Sequence, residues 1–73
     1  MDETGEAEVT DVGTVDAPWG KEITVQALRF RSGLNLARIR IREGRRFTVL
    51  DVDDATVTSL SALLTKALDA ERT

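Results

Sequence analysis

Residues 37–42 read Ala-Arg-Ile-Arg-Ile-Arg. This alternation constrains the chain more than any other feature. Side chains of a strand point alternately to its two faces, so a period of two marks a half-buried β-strand. Ala37, Ile39 and Ile41 point one way, and Arg38, Arg40 and Arg42 the other.

The flanking segments read as partners for this strand. Glu22 to Arg31 alternates Ile23, Val25 and Ala27 with Thr24, Gln26, Leu28 and Phe30, and Ser32-Gly33 follows as a turn. A two-residue hairpin loop there sets Arg31 opposite Leu34, Arg29 opposite Leu36 and Ala27 opposite Arg38. In that register Leu28 and Phe30 share the face of Ala37, Ile39 and Ile41. A one-residue slip would exchange the faces. Glu43-Gly44 is the second turn, with Arg42 opposite Arg45. The third strand then sends Thr48, Leu50 and Val52 to the core face and Phe47, Val49 and Asp51 to the arginine face. A three-residue loop would send Phe47 and Val49 to the core instead.

From Asp53 to about Glu71 the period changes. Val57, Leu60, Leu64, Ala67 and Leu68 recur at helical spacing, Leu63 widens the stripe, and Thr58, Ser61, Thr65, Lys66 and Asp69 lie opposite. Asp53 or Asp54 is placed to cap the first turn. The threonines and serines are modest helix formers, so packing against Leu28, Phe30, Ile39, Ile41 and Leu50 is expected to hold the helix. The fold class is therefore α+β: a curved antiparallel meander of three strands followed by one C-terminal helix. Val9, Val12 and Val15 offer a fourth, edge strand that Gly13 weakens. Residues 1–16 otherwise read as a flexible acidic arm, and residues 17–73 as one domain. Trp19, after Pro18, is expected to pack at the rim of the core, with an exposed platform as its other use.

With 73 residues and neither cysteine nor histidine, the chain has no disulfide or imidazole site to reinforce a small core. Oligomerisation remains, so a homodimer is expected. The usual catalytic bases and nucleophiles are missing, so no catalytic residue, metal site or cofactor is assigned. Residues 2–8 lack the basic start and apolar run of a signal peptide, and no apolar stretch suits a bilayer. A soluble cytoplasmic protein is expected.

The net charge of −3 conceals a separation. Residues 1–16 hold six acids and no base, whereas residues 29–46 hold seven arginines against Glu43 alone. Guanidinium groups suit bidentate contact with carboxylate or phosphate and stacking on flat rings. Arg29, Arg31, Arg38, Arg40 and Arg42 on a sheet face, with Arg45, Arg46 and Phe47 at its turn, form a candidate surface for single-stranded DNA or RNA. The same face also fits an intersubunit contact, or an acidic protein partner. A solvated face whose arginine stems cover apolar surface is the third reading.

The order of these pieces resembles the PC4-like family of transcriptional coactivators. The comparable segments are Lys21-Glu22-Ile23-Thr24-Val25, Ala37 to Arg42, Gly44-Arg45-Arg46-Phe47-Thr48-Val49, and Asp53-Asp54 leading to Leu60, Leu64 and Leu68. The resemblance implies a dimeric, curved sheet with a C-terminal helix that binds single-stranded DNA. The chain equally resembles short bacterial proteins without an assigned function.

Overall fold

A computed structural model describes residues 7–72. Four strands, β1 (Glu8–Ala17), β2 (Lys21–Arg29), β3 (Asn35–Glu43) and β4 (Arg46–Val52), precede one helix, α1 (Asp54–Arg72). The strands form a single antiparallel sheet in the order β1-β2-β3-β4. The meander with a C-terminal helix is as expected, and its fourth strand is present.

That fourth strand replaces most of the expected arm; residues 1–6 lie outside the described residues. Val9, Val12 and Val15 are three apart, which is not a strand period. A β-bulge reconciles them: Asp11 pairs with Gln26 and Gly13 with Val25, leaving Val12 as the extra residue. Beyond the bulge the side-chain phase is reversed. Val9 stands beside Leu28 on one face, and Val15 beside Ile23 on the other.

The β2–β3 register departs from expectation by one residue. Arg29 pairs with Asn35, Ala27 with Ala37, Val25 with Ile39 and Ile23 with Ile41. The loop closes differently from a two-residue turn. The Phe30 N–H donates to the Leu34 carbonyl at 2.9 Å and the Gly33 N–H to the Phe30 carbonyl at 3.0 Å, so three residues lie between Phe30 and Leu34. Gly33 has φ +96°, so a tight turn closes through a left-handed glycine. Leu28 is consequently on the arginine face, while Ile23, Val25 and Ala27 join Ala37, Ile39 and Ile41.

The β3–β4 turn is Gly44-Arg45, with Glu43 opposite Arg46 and Arg42 opposite Phe47. Positive φ falls on Gly44 (+62°) and not on Arg45, as in a type II′ turn. The pairing is two residues away from the expected one. That shift preserves the faces, so Thr48, Leu50 and Val52 stand with the isoleucines as anticipated.

Asp53 caps α1. Its Oδ1 accepts the Thr56 N–H at 2.9 Å, and its carbonyl accepts the Val57 N–H, also at 2.9 Å. The helix meets the sheet at β3. Val57 and Leu60 are half-buried, but Leu63, Leu64 and Leu68 are 61%, 60% and 56% exposed. Packing along the whole leucine stripe, expected from its periodicity, does not occur within the chain. Among the described residues only Leu28 and Val52 are buried. They lie on opposite faces of the sheet, on adjacent rungs at the end where the helix begins. No helix among the described residues is long and apolar enough to cross a membrane.

Candidate interaction surfaces

The two faces of the sheet differ in chemistry. The arginine face carries rungs of polar side chains that satisfy one another. Arg38 lies opposite Asp51 on β4, and its Nε and Nη2 donate to the two carboxylate oxygens at 2.8 and 3.0 Å. Such a fork holds both groups in one geometry. The hydrogen bond from Arg38 pulls the Asp51 carboxyl below its ordinary value; burial opposes this, and the guanidinium charge adds a smaller downward pull. The same contact raises Arg38 further.

The neighbouring rungs follow suit. Arg42 Nε donates to Glu22 Oε1 at 3.3 Å, Gln26 Nε2 donates to Asp11 Oδ1 at 2.8 Å, and the Thr14 and Thr24 hydroxyls are 3.2 Å apart. The Arg40 guanidinium sits 4.8 Å from the centre of the Phe47 ring. Acidic β1, expected to be an arm outside the fold, supplies the Asp11 and Thr14 of these rungs.

Of the eight residues singled out from sequence, Arg38, Arg40, Arg42 and Phe47 share this face. Arg29 and Arg46 are on the other. Arg31 is in the β2–β3 loop and Arg45 in the β3–β4 turn, at opposite ends of the sheet. The slip in register separates Arg29 from the row of β3.

Sequence reasoning assigns the opposite face to the core beneath α1. Its three central rungs are Val15-Ile23-Ile41-Thr48, Gly13-Val25-Ile39-Leu50 and Thr10-Ala27-Ala37-Val52, read across β1 to β4. None of these twelve positions is charged. Charges stand at both ends. Lys21, Glu43 and Arg46 frame one end, with Lys21 Nζ 3.0 Å from Glu43 Oε2; Glu8 and Arg29 frame the other. Val15 is 61% and Leu50 50% exposed, and Ile23, Val25, Ile39 and Ile41 are only half-buried. The sequence signal for this face is the parallel alternation of Ile23-Val25 and Ile39-Ile41. It is legible only once the loop between them is given its true length.

Trp19 is 88% exposed rather than packed at a core rim. It occupies the β1–β2 loop with φ +64°, and the Lys21 ammonium lies 5.8 Å from its ring centre. A left-handed conformation is uncommon for a bulky residue. The indole stands clear of the sheet.

A family model described as a family of unknown function, DUF6967, matches residues 6–70. No curated protein matches the chain. No solved structure matches it. The resemblance to the PC4-like family finds no support in these comparisons.

Proposed function

This chain belongs to DUF6967, a family of unknown function, and we propose that it is a non-catalytic, self-associating adaptor. The carrying observation is the uncharged sheet face, left open beyond the end where the helix begins, in a chain with two buried residues among those described. Exposed apolar patches rimmed by charge mark protein contacts. The chain exposes 5940 Å², whereas a folded monomer of 8.0 kDa exposes about 4,450 Å². The surplus is about 1,500 Å², and a standard interface removes roughly 800 Å² from each partner. An interface of that size would remove just over half of the surplus. Sedimentation equilibrium at micromolar concentration is expected to give twice the chain mass. A monomer throughout that range would end this reading.

A second reading rests on the other face. Arg40 stacks on Phe47 there, and Arg45, in the neighbouring β3–β4 turn, has no ion pair among the described residues. A guanidinium cluster beside an exposed ring suits a single-stranded nucleic acid. Against it, Arg38 and Arg42 are already matched by Asp51 and Glu22. Fluorescence anisotropy with single-stranded oligonucleotides separates the two readings. Nucleic-acid binding requires an affinity that falls steeply with salt, and the adaptor reading requires no binding.

A further inference from the structure

We propose that the occupant of the uncharged sheet face is the helix of a second copy, and that the exchange is reciprocal. This rests on the self-association reading and adds the arrangement.

Each copy has two apolar surfaces left open to water. One is the sheet face around Ile39, Val25 and Leu50; the other is the second half of α1, where Leu63, Leu64 and Leu68 are exposed. A sheet face and a helical stripe are the two layers that an α+β domain normally packs together. Within one chain they meet only near the helix start, where a single residue, Asp53, separates β4 from α1. The shape agrees. The radius of gyration is 14.3 Å and the longest extent 47 Å, against a radius of about 11 Å for a compact chain of this length.

The dimensions also match. Leu63 to Leu68 advances about 7.5 Å along a helix. Four strands span about 14 Å from the first to the last. The exposed leucines of one helix therefore fit within the breadth of the sheet of another copy without overhang. Charge is compatible as well. The three central rungs hold no charged group, and Lys66 and Asp69 lie on the side of the helix away from the leucines. In a two-fold pair each copy supplies one helix and one sheet face, so both open surfaces of both copies are covered by a single operation.

The absence of native cysteine makes a cross-linking test clean. The full chain is prepared with Leu64→Cys alone, with Leu50→Cys alone and with Ile39→Cys alone. The helix variant is co-expressed with each sheet variant, and the products are oxidised mildly and resolved by mass. Sedimentation of the unmodified chain is run alongside. The expected result is a dimer in solution and a disulfide joining a Leu64→Cys copy to a Leu50→Cys or Ile39→Cys copy, in at least several-fold excess over either self-linked pair. A dimer in which the sheet variants link to themselves, or in which no helix-to-sheet link forms, overturns the exchange while leaving self-association standing. A monomer in sedimentation overturns both. A chain carrying Leu64→Cys and Leu50→Cys together that closes an internal bond also overturns the exchange, because its own helix then covers its own sheet.

Discussion

Arg38 and Asp51 face each other across β3 and β4, and their side chains remain 27% and 33% exposed. A pair this open to water contributes at most about 1 kcal/mol. The folded state lowers the Asp51 carboxyl below its ordinary value of 3.8. The contribution is therefore fully present above that value and is lost as pH falls through the lower, folded value. Asp51→Asn is expected to reduce the thermal midpoint slightly at neutral pH, and the difference from the unmodified protein should shrink in strong acid. Parallel melting curves at the two pH values check this; a difference that grows in acid would reverse the sign. Asp53 works at the same scale. Hydrogen bonds from Thr56, its side chain first and its backbone N–H second, lower the Asp53 carboxyl. Asp53→Ala should reduce helical circular dichroism and the thermal midpoint, while Asp53→Asn, which keeps an acceptor at the cap, should retain most of both.

At the scale of elements, the strands β2, β3 and β4 and the helix are legible in the sequence because each carries a clear period. Val9, Val12 and Val15 are not, because a bulge at Val12 makes two strand phases look like one irregular segment. The register of β2 on β3 is illegible for a related reason. Ser32-Gly33 permits either a two-residue turn or a longer loop closed by a left-handed glycine, and the choice decides which face receives Leu28. The arginine row of β3 is legible as one face, and so is the place of Asp51 on it. Asp11 and Gln26 enter only with β1 in place and the true register known. Gly33 thus determines the division into an apolar and a polar face. A Cβ there meets nothing within 4 Å, so the penalty for Gly33→Ala comes from φ +96° alone. The expected loss is about 1–2 kcal/mol, read from the urea midpoint. An unchanged midpoint would show that the loop readily adopts another closure and that the register does not depend on this residue.

At the scale of the molecule, the helix and sheet each display the right pattern for packing, yet the chain does not bring their apolar centres together. A period shows that a residue faces something apolar; it does not show whether that surface belongs to the same copy. This is why periodicity alone puts the leucine stripe over its own sheet. Leu64 decides the matter by magnitude. In an isolated chain it is 60% exposed, and an exposed substitution distant from special features changes stability by no more than about 0.5 kcal/mol. Covered by the sheet of a second copy, the same Leu64→Ala change should cost roughly 2–5 kcal/mol. The unfolding midpoint of an associated protein also rises with chain concentration, whereas that of a monomer does not. Chemical denaturation of the unmodified protein and of Leu64→Ala over a hundredfold dilution series gives both quantities together. The large loss is expected, together with a concentration-dependent midpoint. A loss below about 0.5 kcal/mol and a midpoint indifferent to dilution would mean that α1 carries its leucines into water, and the fold would then have to stand on little more than Leu28, Val52 and the strand ladders.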